Sequence, residues 1–482
     1  MGVVRCHHRV TRAVVAVILV TFAALLLAAA AQAYAPGELI WAERLGTSAS
    51  QAGVRDMTAG PNDAVAVAGS QNLPSGERVP LVAKYGAAGL EWVRTYEGRG
   101  DAQAVAFDPA GNVYVAATVA TRQYDPDIVL IKYAADGDLR WTAVWDGHDT
   151  HGASARHVAV DKRGDVVVVG TELTIDDAGR FTVPAVVVLK YHRDGTIAWP
   201  AAFYEPAAGD ATIRTFELSD VALDKAGDVY VSGTLFSAWY GAGSDMEGLA
   251  LKFAGADGSL VASRTDECPP GAESRFASIA VRGSTVAVAG MTLDMTDYGG
   301  VADAHGLVAR FDLGLQDSHR RVWDTSETKY EAFNDVELDV RGDVYVTGSQ
   351  ASTATTDLFS QAVTLKLDPS LSTVLWSGTY APEAAHADTY IITPDANGDV
   401  YVAGVQRTGA PADYQTRDVQ DFLTIKYSRT GARQWVTTWS GGGPGFEGPS
   451  GLVLGTKRDV FVGGHAVTPD GVPQAVLLRY RE

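Results

Sequence analysis

The sequence predicts an all-β fold, a single β-propeller of eight four-stranded blades. Two observations lead to this prediction: one short phrase recurs along the chain, and the segments around each copy alternate apolar and polar residues. The phrase reads DKAGDVYVSGT at 224–234 and DVRGDVYVTGS at 339–349. Repeats of roughly 40–50 residues built from short strands are typical of propeller blades. Alignment on the phrase gives eight anchors, 48 to 63 residues apart: Gly69, Ala117, Gly170, Gly233, Gly290, Gly348, Gly404 and Gly464.

Each repeat contains four predicted strands, which we label a to d. The segment DVALD (220–224) is an inner strand a, and VYVSG (229–233) is strand b. Strand c ends in a basic residue followed by an aromatic, as in Lys252-Phe253, and strand d carries tryptophan, as in RQWVTTW (433–439). Enrichment in Val, Tyr, Ile and Trp with period-two alternation indicates strands, and the Asp and Gly residues between a and b favour a tight turn.

The two ends of the repeat array predict how the ring closes. The segment ELIWAERLG (38–46) resembles a strand d with no blade before it, and AVLLRYRE (475–482) resembles a strand c with no strand d after it. We therefore expect the N-terminal strand to complete the last blade, which would remove two exposed sheet edges. The predicted propeller spans 39–482, in units of about 39–85, 90–133, 139–191, 197–253, 260–311, 320–367, 374–427 and 433–480.

Residues 1–33 have the pattern of a signal peptide. Arg5, Arg9 and Arg12 precede an apolar run, and Ala31-Gln32-Ala33 supplies small residues for cleavage after Ala33. The apolar run is long enough to span a bilayer, so an uncleaved anchor is the alternative. With cleavage, the sequence predicts a secreted, extracellular or cell-envelope protein that has no stable membrane insertion.

The charge balance and the cysteine count exclude several kinds of partner and bond. The formal net charge is −19, and removal of three arginines with residues 1–33 leaves 36 basic and 58 acidic side chains, a net charge of −22. Nucleic acid is not an expected partner, because phosphate binding needs a basic surface. Cys6 would leave with the signal peptide, so Cys268 would be the single thiol and no intrachain disulfide is expected. We expect a monomer held together by burial alone.

The repeated phrase resembles a known family. GNVYVAAT or GDVYVTGS, followed by an IKY-type strand and a tryptophan strand, is similar to the secreted bacterial β-propeller repeat (SBBP) family over most of 39–482. That resemblance implies the fold and an exported location, but no substrate. A weaker similarity links the Gly-x3-Trp spacing of Gly137–Trp141, Gly195–Trp199 and Gly431–Trp435 to quinoprotein-like eight-bladed propellers. Those enzymes use a pair of adjacent cysteines that this chain lacks, so a quinone cofactor is not expected.

The segments with the greatest variation in length predict a binding face. The a–b and c–d turns are short and uniform, whereas the predicted b–c and d–a loops, such as 205–219, 234–248, 291–306 and 405–421, are long and unlike one another. In a propeller both kinds of loop emerge on the same face, and a rigid scaffold with variable loops is a common way to present a binding site. Aromatic rings could stack on a ligand and carboxylates could bind hydroxyl or amide groups; ordinary solvated loops are the alternative. The candidate residues there are Trp239, Tyr240, Asp245 and Tyr298.

A second set of candidates comes from the inner strands. The first residues of the predicted strands a include Asp56, His157, Asp220 and Asp335, which would surround the mouth of the central channel. Carboxylate oxygens in an acidic chain could bind Ca²⁺, and no other cofactor is expected. The alternative is that each aspartate hydrogen-bonds the backbone of its own blade.

These patterns favour a non-enzymatic scaffold that binds a glycan, a peptide or a protein through the loop-rich face. The alternatives are a glycan hydrolase or lyase that uses carboxylates at the channel mouth, or a purely structural envelope protein. Such an enzyme would need two free carboxyl groups at the mouth, one with a raised pKa. If Asp56, Asp220 and Asp335 all point into neighbouring blades, the enzyme hypothesis loses its best residues.

Overall fold

The computed structural model describes most of the chain beyond residue 34. The described residues are 35–45, 51–122, 125–147, 152–172, 185–206, 213–239, 243–266, 268, 272–295, 301–316, 318–325, 328–352, 360–382, 385–408, 419–456 and 458–482. They contain 32 β-strands, no α-helix and one 3-10 turn at Pro61–Asp63. The predicted signal peptide lies outside them.

The strands form eight units of four, each joined in the order a-b-c-d by antiparallel pairing. Blade 1 consists of β2 (Ala52–Ala59), β3 (Val65–Asn72), β4 (Arg78–Gly86) and β5 (Gly89–Thr95), and blade 2 of β6 (Arg99–Phe107), β7 (Val113–Arg122), β8 (Asp125–Tyr133) and β9 (Leu139–Trp145). Blade 3 consists of β10 (Ala153–Val160), β11 (Val166–Glu172), β12 (Ala185–Tyr191) and β13 (Ile197–Tyr204), and blade 4 of β14 (Ile213–Leu223), β15 (Val229–Trp239), β16 (Gly243–Phe253) and β17 (Leu260–Thr265).

Blades 5 to 7 continue this pattern, and blade 8 uses both ends of the described chain. Blade 5 consists of β18 (Ala272–Arg282), β19 (Thr285–Met295), β20 (Val301–Asp312) and β21 (His319–Trp323), and blade 6 of β22 (Thr328–Leu338), β23 (Val344–Ser352), β24 (Ser360–Leu367) and β25 (Val374–Tyr380). Blade 7 consists of β26 (Ala385–Pro394), β27 (Val400–Thr408), β28 (Val419–Tyr427) and β29 (Arg433–Trp439), and blade 8 of β30 (Gly448–Leu454), β31 (Val460–Val467), β32 (Pro473–Tyr480) and β1 (Leu39–Leu45). Strand β1 pairs antiparallel with β32.

The inner strands form a closed series around the channel. Strands β2, β6, β10, β14, β18, β22, β26 and β30 each contact the inner strand of the next blade, and β30 contacts β2. Blades 5 and 6 are further joined by a parallel bridge between Ala304 and Tyr330. The all-β propeller predicted from the repeat is therefore confirmed.

Each inner strand contains a β-bulge at the same register. The paired residues shift by one position just after the residue opposite the VYVxG anchor, as between Val54 and Asp56 or between Leu218 and Asp220. A bulge bends and twists the strand locally and re-aims the side chains around it. The extra residues, in blade order, are Arg55, Gln103, Arg156, Ser219, Ala277, Asn334, Tyr390 and Ser450.

In blades 1 to 3, side chains of strands c and d hydrogen-bond a turn of the next blade. In blade 1, Lys84 Nζ and Trp92 Nε1 both donate to the carbonyl oxygen of Ala135 in blade 2, at 2.8 and 3.1 Å. In blade 3, Lys190 Nζ donates to Gly255 of blade 4 at 2.9 Å, and this lysine side chain is only 2% exposed. Because a buried ammonium needs a partner, Asp161 lies 3.5 Å from it. The basic residue that ends strand c is therefore structural.

The glycine of each Gly-x3-Trp segment lies against the tryptophan of the preceding blade. A Cβ atom added at Gly431 would lie 2.8 Å from the Trp376 ring, and one at Gly137 would lie 2.9 Å from the Trp92 ring. Both glycines have positive φ. Only glycine fits here, because the turn conformation and the ring each exclude a side chain.

Substituting Gly431 with alanine should destabilise the protein more than the same change at Gly76. Both residues have a φ of +84°, but a Cβ at Gly76 would meet nothing within 4 Å, so this variant isolates the cost of the backbone conformation. We expect the free energy of unfolding to fall by about 1 kcal/mol for Gly76→Ala and by about 2–4 kcal/mol for Gly431→Ala, since overpacking adds to the backbone cost. Urea unfolding measures both, and equal losses would show that the Trp376 ring moves aside freely.

Candidate ligand-binding site

The predicted channel residues lie deeper in the fold than expected. Asp56, His157, Asp220 and Asp335 each follow the β-bulge of their inner strand and are half-buried in the channel. The prediction that they are the first residues of strand a was wrong. The inner strands begin earlier, because the residues before each bulge continue the antiparallel pairing with strand b.

The three aspartates hydrogen-bond the backbone of the neighbouring blade. Asp56 Oδ2 accepts from Val105 N at 2.9 Å, and Asp335 Oδ2 accepts from Ile392 N at 2.8 Å. The second oxygen of each carboxyl accepts from the next amide of its own strand, at 2.8 Å in both cases.

Asp220 repeats this arrangement between blades 4 and 5. Its Oδ1 accepts from Val221 N at 2.7 Å, and its Oδ2 accepts from Ile279 N at 3.1 Å. All three side chains thus bridge adjacent blades rather than point freely into the channel.

Serine at the equivalent position of blade 5 links two of these carboxyl groups. Ser278 Oγ lies 3.0 Å from Asp220 Oδ2 and 2.7 Å from Asp335 Oδ1. A hydroxyl has one proton to donate, so both contacts are hydrogen bonds only if one carboxyl is protonated. Burial raises the pKa of Asp335 to about 8, which assigns the proton to Asp335 at neutral pH.

Other groups in the channel also shift towards the neutral form. Burial raises the pKa of Asp56 and of Glu337 to about 7. Burial lowers the pKa of His157, whose ring hydrogen-bonds the backbone carbonyl of Ser219 in blade 4. Glu337 was missed in the sequence, although it stands two residues after Asp335 and so shares its face of the strand.

The carboxylate oxygens that could bind a cation already accept hydrogen bonds. This holds for both oxygens of Asp56, Asp220 and Asp335. In the described part of the chain, the one group of three clustered metal-ligand side chains is Asp395, Asp399 and Glu482. Lys426 Nζ lies 3.2 Å from Asp399 and 2.8 Å from Glu482, so an ammonium already balances that charge.

Replacing Asp335 with asparagine should flatten the pH dependence of stability. Because the pKa of Asp335 is about 8 in the folded protein and 3.8 normally, the folded state holds a proton that the unfolded chain releases. This contribution to the free energy of unfolding is complete below about pH 4 and is lost as pH rises to about 8, with a slope of up to about 1.4 kcal/mol per pH unit. We expect urea unfolding between pH 5 and 8 to show a shallower decline for Asp335→Asn than for the wild type.

The matched control for this experiment is Asp136→Asn. Asp136 is exposed in a c–d turn, where its carboxylate accepts a hydrogen bond from Asp138 N. This substitution should leave the slope with pH unchanged. Equal slopes for the wild type and Asp335→Asn would mean that Asp335 is already ionised at pH 5 in the folded state.

On the loop-rich face, much of what was predicted as loop is strand. Segments 205–219, 234–248 and 291–306 were predicted as loops, but β14, β15, β16, β19 and β20 extend into them. The reason is that the backbone continues to pair across the hairpin, as Thr234 with Gly248 and Leu235 with Glu247. The rigid scaffold therefore reaches further towards this face than the sequence suggested.

Two of the four predicted residues of this face, Trp239 and Asp245, lie in the hairpin formed by β15 and β16. The backbone of Trp239 ends β15 and pairs with Gly243, whereas Asp245 pairs with Ser237 in the same hairpin. Asp245 lies near Glu273 of blade 5, and burial followed by the charge of Asp245 raises the pKa of Glu273. Tyr240 and Tyr298 lie outside the described residues, so their contact with a ligand stays a prediction.

A different group of aromatic and charged side chains lies at the loop-rich mouth of blades 5 to 7. Tyr330 is 40% exposed; burial and the charge of Asp388 raise its pKa, and Arg275 opposes this rise. Arg407 hydrogen-bonds the Tyr390 hydroxyl and lies 3.8 Å from Asp388. We call these five residues the mouth cluster. Its signal in the sequence is weak, because the residues come from three blades and only the fold brings them together.

Several solved structures are similar to this chain at low sequence identity. The WD40 domain of SCAP from fission yeast is similar over 91% of this chain and 98% of its own, at 11% identity and a TM-score of 0.44. Polysaccharide lyase Uly1 is similar over 83% of this chain and 92% of its own, at 9% identity and a TM-score of 0.43. A polysaccharide lyase of family PL25, an ulvan lyase, is similar over 82% of this chain and 95% of its own, at 11% identity and a TM-score of 0.44. No protein-family model matches the sequence, and no curated protein matches it. Membership of the SBBP family thus stays a prediction.

The structure adds one observation about membranes. Among the residues that it describes, no helix is long and apolar enough to cross a bilayer. The apolar run that precedes Ala31 lies outside those residues.

Proposed function

We propose that this protein is an exported scaffold that binds a glycan, a peptide or a protein through its loop-rich face. The observation that carries the proposal is the mouth cluster, which combines an exposed tyrosine with two arginines and an aspartate on one rim. Aromatic rings with convergent polar groups suit ligands that have both apolar faces and hydrogen-bonding groups. The signal-peptide pattern of residues 1–33 and the resemblance to SBBP repeats support export.

The channel aspartates favour this proposal over a hydrolase or lyase. General acid–base catalysis needs carboxyl groups that can reach a substrate proton. Asp56, Asp220 and Asp335 instead use both oxygens to accept from backbone amides, and each has one of these bonds across a blade boundary, at 2.8–3.1 Å. The raised pKa values of Asp56 and Asp335 follow from burial inside the ring and do not require a catalytic role.

Substitution of Tyr330 tests the proposal once a ligand is found on glycan and peptide arrays. We expect Tyr330→Ala to weaken binding of that ligand about tenfold, whereas Tyr330→Phe keeps most of it, because stacking needs the ring and not the hydroxyl. Titration calorimetry measures both affinities. Val340→Ala is the control, because Val340 is exposed in an a–b turn on the opposite face.

Three other outcomes would contradict parts of the proposal. An absence of ligands on every array would favour the structural envelope alternative. Loss of binding in EDTA would point to a cation in the site. Release of shortened glycans on incubation, abolished by Asp335→Asn, would favour the enzyme.

A further inference from the structure

A separate cleft opens on the loop-rich face between blades 8 and 1. It has a volume of about 260 Å³ and is lined by Gln51, Gly53, Arg55, Asn72, Arg78 and His465, among others. These residues lie at the d–a and b–c ends of their strands, on the face of the mouth cluster but in other blades. The volume is below that of pockets for drug-sized ligands, so it suits a single ring.

One glycine borders the opening. Gly53 lies two positions before the β-bulge, where other blades have side chains such as Asp101, Glu217 and Arg275. A Cβ atom at Gly53 would meet nothing within 4 Å, so this glycine borders open space. Its backbone is not in the left-handed region, which means that a larger residue is sterically allowed there.

The cleft carries more positive than negative charge. Arg78 Nη2 lies 2.6 Å from Asp101 Oδ1, and Arg55 Nε lies 3.7 Å from the same oxygen. Both guanidinium side chains are nearly half exposed, and Arg78 Nε is held by Ser70 Oγ at 2.8 Å. Two guanidinium groups share one carboxylate, which leaves N–H donors in a fork that fits a second carboxylate.

An exposed phenylalanine stands beside this cleft on an anchored loop. Phe446 is 62% exposed, whereas its neighbour Glu447 is buried and accepts from Gly441 N at 2.7 Å and Val467 N at 2.9 Å. His465, which lines the cleft, hydrogen-bonds the carbonyl of Phe446, and burial lowers its pKa, so its ring is neutral at pH 7. The loop thus places an exposed aromatic side chain next to His465, one of the residues that line the cleft.

We infer that this cleft binds one carboxylated sugar ring of a glycan. Phe446 stacks on the apolar face of the pyranose, Arg55 and Arg78 bind its carboxylate, and the amides of Gln51 and Asn72 hydrogen-bond its hydroxyls. A peptide that adds a strand fits less well, because the unpaired edge of β2 packs against the inner strands β30 and β6 of the neighbouring blades. The inference rests on the proposed function and names its ligand class.

The test uses short oligomers of glucuronate, galacturonate and mannuronate, each with its carboxyl-reduced counterpart. We expect at least one oligouronate to bind by titration calorimetry, and its reduced counterpart to bind at least tenfold more weakly, because the charge-assisted bonds are lost. A sulfated galactan oligomer that binds equally well would show that the site binds any anionic sugar. That result would overturn the inference that the site selects a carboxylate.

Three variants locate the binding. Gly53→Leu fills the cleft without backbone strain and should abolish binding, while Arg55→Gln and Phe446→Ala should each weaken it about tenfold or more. Ala396→Leu, in an exposed a–b turn of the opposite face, is the matched control and should bind as the wild type. Unchanged far-ultraviolet circular dichroism and melting temperature would show that the variants fold.

The outcomes separate this inference from the proposed function. Oligouronate binding that survives Gly53→Leu but is lost in Tyr330→Ala would overturn the cleft and keep the loop-rich face. Failure of all three oligouronates, with another ligand bound on the arrays, would overturn the ligand class. Binding of no ligand at all would overturn both.

Discussion

Hydrogen bonding and packing between adjacent blades are the interactions on which the rest of this structure depends. A four-stranded sheet has two faces to bury, so each blade must be covered by its neighbours. The one described cysteine, Cys268, is a free thiol, so burial and hydrogen bonds hold the described blades together. Near the periphery of blades 1 to 3, the lysine of strand c and the tryptophan of strand d both bind one carbonyl of the next blade, as at Ala135. Near the axis, the residues around the β-bulge do the same, as when Ser219 Oγ donates to Phe276 O at 2.8 Å. The two sets of bonds fix the angle between blades.

The hydrogen bonds between blades near the axis also determine the protonation of the channel side chains. Eight inner strands converge there, so polar side chains lose water and need protein partners. Aspartates solve this by accepting two backbone amides each, and the cost of burying their charge is reduced because Asp56 and Asp335 take up protons more readily than in water. Acidic residues at a channel mouth suggest catalysis or cation binding from the sequence alone. Here the hydrogen bonds account for them without either.

Most of the fold could be predicted from the sequence, whereas little of the candidate site could. The repeated DxxGD turns, the period-two strands and the tryptophan register are local patterns, and they specify four strands and eight units because each copy repeats the same signal. The β-bulges leave no local signal, so the depth of Asp220 in its strand was missed. Arg55, Arg78 and Asp101 come from different strands, and their meeting depends on blade packing that no segment encodes by itself.

Departures from the repeat are therefore better guides to function than the repeat itself. A residue that recurs in every blade, such as the basic residue that ends strand c, is used for internal bonds and ion pairs all around the ring and cannot distinguish one side of the ring from another. A ligand, by contrast, needs an asymmetric site. Blade 1 breaks the pattern where Gly53 replaces the longer side chains found before the bulge in blades 2, 4 and 5, and Phe446 is exposed on a loop that buries its own glutamate. The irregular positions at this junction give an otherwise uniform ring one distinct side.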